Sequence, residues 1–181
     1  MISMPNFLNI SGEGRNVGKT ILACNIIAKF SRDYPVIGLK LTPHVHQDVG
    51  NAKALITDKD LVLYEETDDY TRKDSSRMLA AGATKAYLIQ VTEEKLKTGL
   101  EAFFNLAGRN SLVVCESGRL HKIIKPGVSL FLRHLSCQTG DKGKEIADSV
   151  HARVVNFSIN SFDLNLDSIS IENNEWKLTE L

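Results

Sequence analysis

The sequence predicts an α/β fold on a mostly parallel sheet, and three features carry that expectation. Short apolar runs recur along the chain and stop at glycine or polar turns, the pattern of buried strands. Between them lie segments whose apolar residues return at helical spacing. The first strand-like run leads through a glycine-rich turn into such a segment, as an alternating β–α chain begins. The 181 residues are expected to form one domain over positions 1–181.

The elements follow in order. "NFLNIS" (residues 6–11) is apolar and reads as a buried strand. Leu22, Ala23, Ile26, Ile27 and Phe30 then share one helical face, with Lys19 and Thr20 in the first turn. "VIGLKL" (36–41) is a second buried strand. Residues 42–70 hold Pro43, two histidines, the patch "LVLY" and the acidic run "EETDD", and are expected to be irregular. "DSSRMLAAGA" (74–83) reads as a short helix with Asp74 as N-cap and Gly82 as C-cap. "KAYLIQV" (85–91) is a strand. Thr92 is placed to cap the next helix, with Glu93 and Glu94 at its positive end, and Gly108 to stop it. Leu96, Leu100, Phe103 and Ala107 form its apolar stripe. "SLVVCESG" (111–118), "VSLFLRHL" (128–135) and "RVVNFSI" (153–159) read as strands, and "KGKEIADSVHA" (142–152) as a helix. The tail "SISIENNEWKL" alternates on both sides of Asn173-Asn174, the pattern of a C-terminal β-hairpin at a sheet edge.

Composition excludes several classes. A 43% hydrophobic share fits a packed core and argues against disorder. Lys plus Arg equals Asp plus Glu at 22 each, so neither nucleic acid nor a membrane is expected as partner. No apolar run reaches the length of a membrane span, and the first residues lack the basic and apolar regions of a secretory signal. Cys24, Cys115 and Cys137 are odd in number and form no CxxC pair, which suits a reducing cytoplasm.

The chemistry concentrates in "SGEGRNVGKT" (11–20). Its glycines let several backbone N–H groups point at one anion, and the following helix adds the positive end of its dipole. Lys19 supplies a full charge, worth about 4 kcal/mol at ~4 Å and an effective dielectric of ~20 before desolvation. Thr20 offers a hydroxyl to Mg²⁺. The candidate cofactor-binding residues are therefore Gly12, Gly14, Arg15, Asn16, Val17, Gly18, Lys19, Thr20 and Ile21. A phosphate-bound Mg²⁺ calls for a carboxylate, and Glu116, at the carboxyl end of "LVVC", is the first candidate. Asp74 and Asp48 are the reserves. Lys40, in the buried run "GLKL", needs a partner or a ligand. Lys19, Lys40 and Glu116 are thus the catalytic candidates. His44, His46 and Asp48 have ligand-like spacing, but two loop histidines are ordinarily solvated.

These stretches, in order, resemble the molybdopterin-guanine dinucleotide biosynthesis protein B (MobB) family. The likeness rests on "GRNVGKT", "VIGLKLTPHVH", "RKDSSRMLAAGATKAYLI" and "LVVCESG", across roughly residues 6–135. Counted from Gly12, the loop reads glycine, five residues, Gly-Lys-Thr, a spacing similar to that of dethiobiotin synthetases. Their strand-end glutamate resembles Glu116, and their second-strand lysine resembles Lys40. Ser117 stands between Glu116 and Gly118, where the MobB family has Glu-Gly directly, and residues 49–70 look longer than the family's.

The resemblance implies a three-layer P-loop NTPase fold, Mg²⁺ and GTP or ATP as cofactors, and dimerisation. It suggests a GTP-binding accessory protein that works with an enzyme of molybdenum cofactor biosynthesis. The loop spacing also admits an ATP-dependent ligase or small-molecule kinase in which Lys40 holds an acidic acceptor. A non-catalytic nucleotide-sensing module is the third possibility, because no water-positioning residue is readable.

Overall fold

A computed structural model describes residues 1–43, 49–135, 150–158 and 161–179. The chain is an α/β structure around a large mixed sheet of nine strands among these residues. The strands are β1 (Ile2–Gly12), β2 (Val36–Thr42), β3 (Lys53–Asp58), β4 (Leu61–Glu65), β5 (Lys85–Val91), β6 (Leu112–Glu116), β7 (Ile124–His134), β8 (Ala152–Ser158) and β9 (Ser161–Phe162). Their order across the sheet is β3-β4-β5-β2-β6-β1-β7-β8-β9. Neighbours from β5 to β8 run parallel, and the flanking pairs β3–β4, β4–β5 and β8–β9 run antiparallel.

Among the described residues, three α-helices cover the sheet: α1 (Lys19–Phe30), α2 (Asp74–Ala80) and α3 (Leu96–Ala107). Strand parity sorts the core into two faces, because successive side chains point to opposite sides. Val36, Leu112 and Val114 pack with Leu22, Ile26 and Met78 on the α1–α2 face. Leu39, Val113 and Cys115 pack with Leu96, Leu100 and Phe103 on the α3 face. On that second face Phe103 sits among Phe7, Tyr87 and Phe104, with edge-on ring contacts to the first two. The arrangement is compatible with a three-layer α/β fold.

Several expectations need correction. Residues expected to be irregular form the β3–β4 hairpin, which supplies one antiparallel edge of the sheet. Leu61 and Leu63 are buried and hold it down. The tail hairpin, β10 (Ile169–Glu172) and β11 (Glu175–Leu178), is real but forms its own two-stranded sheet. Asn173 (φ 52°) and Asn174 (φ 62°) both adopt the left-handed conformation that a tight two-residue turn requires. Its Trp176 is fully buried against Phe30, so the hairpin caps the α1 face and does not extend the main sheet.

Three helix caps also differ. Lys73, not Asp74, occupies the N-cap of α2, and Asp74 is the first helical residue. Ala81 is the C-cap, and Gly82 follows it at φ 105°. There Gly82 N–H donates to Leu79 and Ala83 N–H to Met78, the paired bonds that close a helix at a left-handed glycine. Thr92 does not cap α3, whose N-cap is Lys95; its N–H donates instead to the Asp60 carbonyl. The proposed helix at 142–152 falls largely outside the described residues, and its last residue, Ala152, opens β8.

Candidate functional site

β1 lies between β6 and β7, and all three parallel strands end on the same side of the sheet. The glycine-rich turn after β1 is therefore brought beside the ends of β6 and β2. Gly12 pairs with Leu132, and a Cβ at Gly12 would lie 2.5 Å from the Leu132 carbonyl oxygen. Gly14 meets nothing within 4 Å. The glycine that packing demands is thus Gly12, six residues before Gly18. Asn16 (φ 60°) and Gly18 (φ 97°) are both left-handed, and Gly18 is the N-cap of α1. No side chain caps that helix end, so the turn and the first turn of α1 present N–H donors beside a positive dipole end.

Asn156 of β8 fixes the turn from behind by donating its amide to the Val17 carbonyl at 3.0 Å. The Val17 side chain is buried in the core. Lys19 Nζ donates to the Gly14 carbonyl, folding the lysine back over the turn. Gly12, Gly14, Arg15, Asn16, Gly18, Lys19, Thr20 and Ile21 all line one cleft of about 960 Å³. That is the upper end of the usual size for a small-ligand site.

The cleft floor holds a tight polar cluster. Lys40 and Glu116 are register partners on adjacent strands, and parity turns both toward α1. Lys40 Nζ lies 2.5 Å from Glu116 Oε1 and 2.8 Å from Asp74 Oδ2. Thr20 Oγ1 lies 2.6 Å from Glu116 Oε2 and 2.9 Å from Asp74 Oδ1. A hydroxyl has one proton to give, so Thr20 can donate to only one of these carboxylates at a time. Three oxygens therefore converge with one proton among them.

Glu116 is buried, at 3% exposed, and both carboxylates depend on Lys40. Burial alone would push the Lys40 ammonium down, but the charges of Glu116 and Asp74 outweigh it and leave Lys40 raised. Burial likewise works to raise Asp74. Lys40's charge, hydrogen bonds from Lys40 and Thr20, and a weaker attraction from Arg77 hold it below the usual carboxylate range.

Thr20, Asp74 and Glu116 are hard oxygen donors, and that chemistry fits Mg²⁺, which takes one or two carboxylates and keeps several waters or phosphate oxygens. Among the described residues no group of three or more His, Cys, Asp or Glu side chains could hold a metal ion. An ion here would rest on two carboxylates, a hydroxyl and oxygens of its own. His44, His46 and Asp48 lie outside the described residues. Cys24 is pushed up to about 11 by burial, and Cys115 is also raised by burial, so neither thiol is poised to attack. Cys137 lies outside the described residues.

The structure thus brings Lys19, Thr20, Lys40, Asp74 and Glu116 together. Sequence reasoning missed Arg77, Arg119 and Lys122, which also line the cleft, and Asn156, which supports it. Only Arg77 carried a usable signal, being one turn along α2 from Asp74. The cleft is lined by six basic side chains (Arg15, Lys19, Lys40, Arg77, Arg119, Lys122) against three acidic ones (Asp74, Glu93, Glu116), a local excess within a neutral chain. No protein-family model, curated protein or solved structure matches the chain. Among the described residues, no helix is long and apolar enough to cross a membrane.

Proposed function

We propose that the chain binds a nucleoside triphosphate with Mg²⁺, GTP favoured, as a P-loop protein. The observation that carries this reading is the meeting of Thr20, Glu116 and Asp74 directly beside the glycine-rich turn at the start of α1. In this reading the turn's N–H groups and the helix dipole bind the phosphates. Lys19 leaves the Gly14 carbonyl to neutralise terminal phosphate charge. Thr20, Glu116 and Asp74 hold Mg²⁺, which spreads the negative charge of the phosphate chain. Lys40 orients the two carboxylates and favours the ionised form of Asp74, a positioning role in place of the catalytic one the sequence suggested.

The resemblance to the MobB family supports reading such a protein as an accessory NTPase in molybdopterin-guanine dinucleotide (molybdenum cofactor) biosynthesis. There it would work as a cytoplasmic homodimer with an enzyme of that pathway. A second reading, an ATP-dependent ligase or kinase similar to dethiobiotin synthetase, is favoured by the basic lining of the cleft beyond the turn.

Calorimetric titration of GTP and ATP, with and without Mg²⁺, tests both. The expected outcome is Mg²⁺-dependent GTP binding that Lys19→Ala abolishes. ATP preference transfers the assignment to the second reading. Failure of both nucleotides to bind the parent chain overturns both.

A further inference from the structure

The cleft has a second wall that the nucleotide reading leaves unused. It is built by the segment after β6, on the opposite sheet face from α1. Leu120 of this segment is fully buried in the α3-side core and anchors it there. Ser117 fixes the segment at four points. Its N–H donates to the Ile10 carbonyl at 3.0 Å, and its carbonyl accepts from the Asn9 amide at 3.3 Å. Its hydroxyl accepts from the N–H groups of Arg119 at 3.1 Å and Leu120 at 3.2 Å. Ser117 is the residue that departs from the Glu-Gly pattern, and here its hydroxyl holds the chain at the entry to the short 3-10 turn Leu120–Lys122, whose N-cap is Arg119.

That rigid turn presents Arg119 and Lys122 to the cleft, and one carboxylate sits between them. Glu93, from the loop after β5, lies 3.3 Å from Arg119 Nη1 and is hydrogen-bonded by Lys122 Nζ. The three side chains are 36%, 45% and 48% exposed for Arg119, Lys122 and Glu93, so the pairing is open to exchange with solvent species. Two cations on a preorganised turn, already spaced around a carboxylate, form a carboxylate-recognition site. Lys40, by contrast, has both its neighbouring carboxylates to serve and is not available for an acceptor.

We propose that Arg119 and Lys122 bind the carboxylate of a small organic acid as the second ligand of the cleft, and that Glu93 holds its place until it arrives. The proposal rests on the nucleotide reading only for what lies on the other wall. It moves the acid-binding role from Lys40 to Arg119 and Lys122.

The test titrates succinate, with inorganic phosphate as comparison, into the full chain followed by NMR, with and without saturating ADP and Mg²⁺. Parent, Glu93→Gln and the double variant Arg119→Gln/Lys122→Gln are compared. Removing the resident carboxylate should tighten succinate about two- to fivefold, the range an exposed ion pair is worth. The double variant should lose succinate binding while ADP titrates as in the parent. Three results overturn the proposal: equal succinate binding by parent and double variant, no gain from Glu93→Gln, or a response to phosphate alone. If ADP fails to bind while succinate behaves as expected, the acid site stands by itself, and the GTP and ATP titrations decide the nucleotide reading.

Discussion

At the residue scale, the central group is Asp74. Its carboxyl is held below its ordinary value against the opposing push of burial. A carboxyl lowered by folding contributes stability that is complete above the unfolded value of about 3.9 and is lost as pH falls through the folded value. Asp74→Asn removes that titration. Its denaturation midpoint should fall less steeply than the parent's below about pH 4, and an identical acid limb in the two chains would contradict the lysine pairing. The nearness of Lys19, Thr20, Lys40 and Glu116 was legible because each sits at a strand end or helix start that local pattern marks. Asn9, Asn156, Arg119 and Lys122 were not legible. Their roles depend on contacts between segments distant in the chain, such as Asn9 with Ser117 and Asn156 with Val17, and no local spacing encodes that.

At the scale of elements, the parallel strands, α1 and α3 were legible from apolar periodicity, and α2 from the Asp74 and Gly82 that flank its run. The β3–β4 hairpin was not, because β3 is largely exposed and β4 buries only Leu61 and Leu63 before running into acidic residues. Too few alternations survive to outweigh the charges that follow. The tail hairpin announced itself through Asn173-Asn174, but its location did not, since Trp176 finds Phe30 only after folding. The two rings meet edge to face at 5.0 Å. Trp176→Ala empties a fully buried site and should cost about 3–5 kcal/mol in urea denaturation. A cost under about 1 kcal/mol would mean the hairpin is a passive appendage of the α1 face.

At the scale of the whole molecule, binding and stability are linked. A ligand held only by the folded state at a hundred times its dissociation constant adds about 2.7 kcal/mol. For a chain of this length each kcal/mol moves the midpoint by about 2–4 °C, so Mg²⁺-GTP should raise Tm by roughly 5–11 °C. Lys19→Ala should show none of this rise in a thermal melt, whereas an equal rise in parent and variant would place the nucleotide elsewhere on the surface.

The position of β1 has a further consequence, for the order in which the molecule is made. β1 carries the site's turn and is an interior strand of the parallel sheet, yet both its neighbours lie far down the chain, with Phe7 paired to Val113 and Ile10 to Leu130. During synthesis, the segment "FLNI" must wait, with both hydrogen-bonding edges open, until more than a hundred further residues have left the ribosome. Such late, non-local pairing slows folding and leaves an apolar strand exposed to wrong partners. A strand translated well before both its partners is thus among the last to find its place, and the site forms only when the sheet closes around it.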